Sequence, residues 1–160
     1  MKKSFLLVVS TLLLSSMTFA AEPSFVPGKR SVFDLTRDQQ SKGPEIIALT
    51  KVSSGMTVLD LLGGGGYYSE LLAQRVGAQG KVYLHNNQAY MPYVEKELLG
   101  RLKDNRLANV IRYDRETSEL GLEKAQFDAI FFILGYHDLY HKAKGWDIDK
   151  DNFLAQVIPA

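Results

Sequence analysis

The sequence predicts a doubly wound, mostly parallel α/β sheet, and three observations carry that prediction. Short apolar segments alternate with segments whose apolar residues recur at helical spacing, as strands covered on both faces by crossover helices require. One such strand, residues 56–62, contains Asp60 and runs into four consecutive glycines, Gly63, Gly64, Gly65 and Gly66, before a helix starts. Residues 127–134, FDAIFFIL, give the strongest strand signal in the chain.

The elements follow in order. Lys2 and Lys3 precede an apolar run at 5–14 and small residues at 15–20, with Thr18 and Ala20 where a signal peptidase reads. Residues 1–20 are therefore expected to be a secretory signal peptide cleaved after Ala20, with export to a bacterial periplasm. The run is too short to span a bilayer, so no stable membrane anchor is expected after cleavage. Residues 21–43, with Pro23, Pro27 and Gly28, read as an N-terminal arm with a helical turn around 34–40. Pro44 suits the first turn of a short helix over 45–51. Ser53, Ser54 and Gly55 break it before strand one.

After the glycines, Tyr68, Leu71, Leu72 and Val76 fall at helical spacing, and Gly77 and Gly80 stop that helix. Residues 81–85 form strand two. Pro92 opens a helix to Leu102 with Val94, Leu98, Leu99 and Leu102 on one face. Residues 110–113 form strand three, 119–124 a turn or loop, 127–134 strand four and 149–157 a last helix. A doubly wound domain over 44–160 is thus expected, without the C-terminal strands that usually continue such a sheet. Either a partner completes it or the sequence is part of a longer one.

Composition narrows the function. The 160 residues carry a formal net charge of +1, or −1 without Lys2 and Lys3, which points to neither a nucleic-acid nor an acidic-membrane partner. The absence of cysteine excludes disulfides, zinc thiolates and thiol catalysis.

The glycine loop admits three chemistries. A phosphate-binding P-loop needs Lys and Ser or Thr after its last glycine, where Tyr67 and Tyr68 stand. A dinucleotide fingerprint would use Gly64, Gly66 and Ser69, with Asn86 at the place of the ribose-binding acid, so a nicotinamide oxidoreductase is a weaker alternative. S-adenosylmethionine needs backbone N–H donors and an acidic residue at the end of strand one, which Asp60 supplies.

Beyond the loop, Tyr136-His137-Asp138 lies just past strand four, on the edge of a parallel sheet where ligands bind. His137 could take a proton from an acceptor. A plainer reading has Asp138 capping a helix and His137 packing at the strand end. His137 and His141 are also four apart, as in a helical zinc motif, but metal binding is not the expected role. Tyr67 and Tyr68 are expected to divide between packing and the pocket, with Tyr68 at the pocket. Trp146 is read as either an acceptor lid or a packing residue.

The stretch VLDLLGGGGYYSELLAQRVGAQGKVYLHN resembles motif I and strand two of the class I S-adenosylmethionine-dependent methyltransferases. The resemblance spans roughly 44–160 and is nearest to exported methyltransferases with a glycine triplet, two tyrosines and a YHD segment after strand four. It implies a Rossmann-like fold, with S-adenosyl-L-methionine as cofactor and methyl transfer to an unidentified acceptor. It implies that Asp60, Gly63, Gly64, Gly65, Gly66 and Tyr68 bind the cofactor. It also implies that Asn86 bonds the ribose and that Asp114, or in its place Glu116, meets the adenine amine. Tyr136 and His137 would orient or deprotonate the acceptor. Two positions depart from the family: Leu62 stands at the first glycine and Asn86 at the strand-two acid. A non-catalytic exported binding protein on the same fold is the alternative.

Overall fold

Thr57–Asp60 (β1) lies between Lys81–Asn86 (β2) and Ala129–Phe131 (β4) in a four-stranded parallel sheet that Val110–Asp114 (β3) completes in the order β3-β2-β1-β4. The computed structural model describes residues 30–143 and 145–160. The expected signal peptide and the arm up to residue 29 lie outside the described residues. The described elements begin with α1 (Val32–Ser41) and α2 (Gly43–Leu49), which precede β1. Then come α3 (Tyr67–Val76), β2 (Lys81–Asn86), α4 (Met91–Leu102), a 3-10 turn at Lys103–Asn105, β3 (Val110–Asp114) and β4 (Ala129–Phe131). A 3-10 turn at Tyr136–Tyr140, a two-stranded hairpin of β5 (Lys142–Ala143) and β6 (Trp146–Asp147), and α5 (Lys150–Val157) complete the order.

Alternation along β1 divides the core. Val58 packs with Leu71, Leu72, Val76 and Val82 on the face covered by α2 and α3. Leu59 points the other way, into a cluster with Leu61, Leu62, Leu120, Ile148 and Phe153 under α5. Leu84, on the α3 side, meets Met91, Val94 and Leu98 of α4. Each such buried side chain contributes about 1.5–3 kcal/mol, so the apolar runs that predicted strands also set the layering.

Four differences from the sequence expectations have physical causes. Strand one pairs only over Thr57–Asp60, because Leu62 turns into left-handed backbone at φ 52°. Strand four pairs only over Ala129–Phe131, because its partner β1 offers just Val58, Leu59 and Asp60 opposite it. The apolar residues at 127–133 are half-buried and Leu134 is exposed, so apolarity here reports neither ladder length nor full burial. The helical turn around 34–40 is the full helix α1, started by Ser31, whose side chain accepts from the Asp34 N–H. On α4 the buried side chains are Met91, Val94, Leu98 and Arg101, while Leu99 is exposed. A charged residue thus occupies the inner face where leucines were expected.

Candidate cofactor site at the glycine loop

The chain leaves β1 through Leu61, whose N–H donates to the Phe131 carbonyl at 2.8 Å. Leu62 adopts a backbone conformation that costs an L-residue roughly 1–2 kcal/mol. Burial of its side chain offsets this, and its N–H donates to His85 Nδ1 at 3.3 Å. A leucine can therefore stand where the family has glycine.

Each following glycine has its own requirement. The Gly63 N–H donates to the His85 carbonyl at 2.9 Å, and a Cβ there would lie 2.6 Å from Asp60 Oδ2. Gly64, at φ 61°, is held on both backbone groups by Asn86: its N–H donates to Oδ1 at 2.9 Å and its carbonyl accepts from Nδ2 at 2.9 Å. The Gly65 carbonyl accepts from Arg101 Nε at 2.6 Å, and a Cβ on Gly65 would collide with the Glu97 carboxylate. Gly66, at φ 82°, starts α3 without a side-chain cap.

Asp60 is buried, and its Oδ2 accepts from the Ser69 hydroxyl at 2.6 Å. Burial pushes its carboxyl up to about 6, while the Ser69 hydrogen bonds pull the other way. Ser69 is thus the partner of Asp60 rather than a substituted glycine of a dinucleotide loop. His85 is also buried. Its Nδ1 accepts from Leu62 and its Nε2 donates to the Arg115 carbonyl at 3.0 Å, which fixes the neutral Nε2–H tautomer. Burial pushes its pKa down to about 4, against the opposing pull of the Arg115 bond.

These two groups give stability opposite pH dependences. The raised Asp60 contributes stability that is complete below its unfolded value of 3.8 and lost as pH rises through about 6. The lowered His85 contributes stability that is complete above 6.5 and lost as pH falls through about 4. Each contribution is about 3 kcal/mol. Relative to wild type, Asp60→Asn is expected to gain stability between pH 4 and 7 and His85→Gln to lose it. Urea denaturation across that range checks this, and trends of the same sign would contradict it.

Arg101 holds the loop from beneath. Its five N–H donors all have acceptors: Nε on Gly65, Nη1 on Asp34 (2.8 Å) and Glu70, and Nη2 on Asp34 (3.0 Å) and Glu97 (2.7 Å). Arg106 also forks onto Glu70 at 2.8 and 2.7 Å. Burial would lower the Arg101 pKa, but the hydrogen bonds to Asp34 and Glu97 hold it above its usual value. The same network ties α1 to α3, α4 and the loop.

Aromatic side chains form the rim. Tyr68 is buried, which raises its pKa, and belongs to the core cluster of Leu71, Leu72 and Val76. The Tyr90 hydroxyl stands 3.6 Å from the place of a Gly64 Cβ. Trp146 packs edge-on against Tyr90 at 5.6 Å and donates from Nε1 to the Asp138 carbonyl at 2.9 Å. The hairpin and the Tyr136–Tyr140 turn thereby reach the glycine loop through Tyr90. Trp146 takes the packing role at this rim.

The structure brings Asp60, Gly63, Gly64, Gly65, Gly66, Tyr68 and Asn86 into one cluster. Asn86 itself differs from expectation. It is fully buried with both amide atoms on Gly64, so it holds the loop instead of presenting a free acceptor to a ribose. Asp114 pairs in register with Asn86, but its carboxylate is more exposed and bonds Arg112 Nε at 2.5 Å. It lines a cleft of about 500 Å³ with Gln88, Glu116 and Gly121. Tyr136 and His137 lie in the 3-10 turn past β4, with the Tyr136 hydroxyl 3.3 Å from that of Tyr140. The His137 side chain is 78% exposed, with Nε2 3.1 Å from Asp138 Oδ1. His141 lies beyond the turn in extended backbone, so it does not continue a helical row from His137. Sequence reasoning missed Arg101, Asp34, His85 and Tyr90. A signal existed for one: Arg101 continues the i, i+4, i+7 row of Val94 and Leu98.

Fold and site together define a Rossmann-like α/β domain of the kind that S-adenosylmethionine-dependent methyltransferases use. No protein-family profile matches the chain. It is similar to the ubiquinone/menaquinone biosynthesis C-methyltransferase UbiE of Francisella philomiragia, 34% identical over 119 residues, which cover 70% of this chain and 46% of that protein. UbiE of Legionella pneumophila is 43% identical over 67 residues, 42% of this chain and 26% of that protein. The chain thus spans about half the length, or less, of these curated relatives. Among solved structures, a SAM-dependent methyltransferase from Aquifex aeolicus matches at 25% identity with a TM-score of 0.60, over 85% of this chain and 67% of that one. An O-methyltransferase from Thermotoga maritima shares the fold, with a TM-score of 0.50 and 24% identity over 64% of this chain and 40% of that one.

Proposed function

We propose that the chain binds S-adenosylmethionine at the glycine loop and transfers its methyl group to an acceptor. The observation that carries this is Asp60, a buried carboxyl at the end of a central strand, hydrogen-bonded to Ser69 and directly before a loop in which a Cβ on Gly63 would meet Asp60 and in which Gly64 and Gly66 take left-handed backbone. The residues fit the cofactor. Gly64 is the loop position where a Cβ would meet nothing closer than 3.6 Å, the Tyr90 hydroxyl, and the start of α3 has no side-chain cap. Asp60, Tyr68 and the loop from Gly63 to Gly66 would hold the methionine end, and Asp114 in its cleft the adenine end. Asn86 serves by fixing the loop.

The bound cofactor supplies a methyl group activated on a sulfonium. The chain's part is orientation and proximity, the larger share of the acceleration for such a displacement. His137, held by Asp138, would accept a proton from the acceptor, and Tyr136 would orient it. The finer assignment is to exported, periplasmic methyltransferases. It rests on the first twenty residues, the glycine–tyrosine loop and the YHD segment.

Asp60→Ala is expected to abolish the calorimetric signal of S-adenosylhomocysteine while the variant keeps its helical circular dichroism. An unchanged affinity would refute the role given to Asp60.

A further inference from the structure

His85, at the end of β2, is bonded to both ends of the candidate site. At one end it receives two consecutive N–H groups of the turn into the glycine loop. Leu62 donates to its ring Nδ1 at 3.3 Å, and Gly63 donates to its backbone carbonyl at 2.9 Å. At the other end its Nε2 donates to the Arg115 carbonyl at 3.0 Å. Arg115 lines the cleft of about 500 Å³ together with Gln88, Asp114 and Glu116. That wall has its own ties to the end of β2: the Arg115 N–H donates to the Asn86 carbonyl and the Gln88 N–H to Glu116 Oε1, each at 3.1 Å. A single buried ring thus stands between the loop and the cleft.

The ring bridges them only as the neutral Nε2–H tautomer, with an acceptor on one side and a donor on the other. A proton on Nδ1 would set donor against donor at Leu62. Burial keeps the ring neutral, against the Arg115 bond and the Asp114 charge. From β3 the Tyr113 ring also faces it, at 6.3 Å, with the Arg115 guanidinium lying over Tyr113 at 5.1 Å. From β1 the carboxyl of Asp60, two residues before Leu62, is turned to Ser69. The turn needs this support, because Leu62 holds left-handed backbone at φ 52°.

We propose that His85 is a positioning residue that fixes the spacing between the glycine loop and the cleft, so that a ligand reaching both ends binds with its two halves already in register. This deepens the S-adenosylmethionine reading and rests on it. The histidine acts through Leu62, Gly63 and Arg115 rather than on the ligand. Fixing two half-sites beforehand removes an ordering cost that only a ligand spanning both would otherwise bear.

The test titrates the full chain, as wild type, His85→Gln and His85→Asn, with S-adenosylhomocysteine, which spans both ends, and with adenosine, which fills the cleft alone, measured directly or by displacement. A glutamine amide keeps a donor for the Arg115 carbonyl but leaves the Leu62 N–H without an acceptor. An asparagine oxygen keeps the Leu62 bond but is too short for Arg115. Each variant therefore cuts one side of the bridge. Both are expected to weaken S-adenosylhomocysteine by about 10-fold, the size of one buried hydrogen bond. Adenosine is expected to keep its wild-type affinity, because the cleft retains its bonds to Asn86 and Gln88. Loss confined to one variant, equal weakening of both probes, or weakening of neither overturns the bridge. NMR of the His85 ring in the wild type gives a reading that needs no variant. S-adenosylhomocysteine, but not adenosine, is expected to lower the pH at which the ring takes a proton, since binding and protonation are linked reciprocally. An unmoved midpoint overturns the proposal. Failure of the wild type to bind S-adenosylhomocysteine overturns the S-adenosylmethionine reading, and the role of His85 with it.

Discussion

Arg101→Ala is expected to cost about 3–5 kcal/mol of folding stability, the loss typical when one partner of a buried ion pair is removed. The Arg101 side chain is 4% exposed and satisfies five acceptor contacts at once. Glu70 would keep Arg106, but Asp34 and the Gly65 carbonyl would lose their principal partner. The damage has a direction. It parts α1 and the loop from α4 and leaves α1 held to α3 through Asp38 and Tyr67, so proteolysis near residues 30–43 should accelerate. Arg101→Lys should recover the charge without the fork and fall between the two. Urea denaturation measures the effect, and a cost under about 1 kcal/mol would mean that the network does not hold the loop.

The second large effect is expected at Asn86. Asn86→Asp keeps an acceptor for the Gly64 N–H but sets a second acceptor against the Gly64 carbonyl and buries a charge. The expected cost is about 2–4 kcal/mol, with a parallel loss of S-adenosylhomocysteine affinity. This outcome separates two roles. If Asn86 were a ribose ligand in the place of an acid, restoring the acid would tighten binding and leave stability unchanged. Thermal melts and calorimetry on the same variant decide between them.

The backbone order of the molecule was legible in its sequence because burial leaves a periodic trace. Val58, Leu59, Val82 and Leu84 are apolar for the reason that they are covered, and the strands fall where they do. Strand ends were less legible. The extent of β4 depends on how far β1 runs beside it, a property of the partner. The candidate site divides in the same way. The close approach of Gly63 to Asp60, three residues before it, is local and could be read. What Asn86 does with its amide is not local, because the Gly64 groups that it binds arrive only through the Leu62 turn. Arg101 was hidden because a charge on the inner face of a helix is worth having only when Asp34, Glu70 and Gly65 converge on it from three other segments.

Calorimetric titration of the wild-type chain with S-adenosylmethionine, S-adenosylhomocysteine and NADH tests most directly whether the loop after Asp60 is an S-adenosylmethionine site. Saturable binding of both adenosyl compounds with no heat from NADH is the predicted result. Binding of NADH alone, or of none of the three, would contradict the claim.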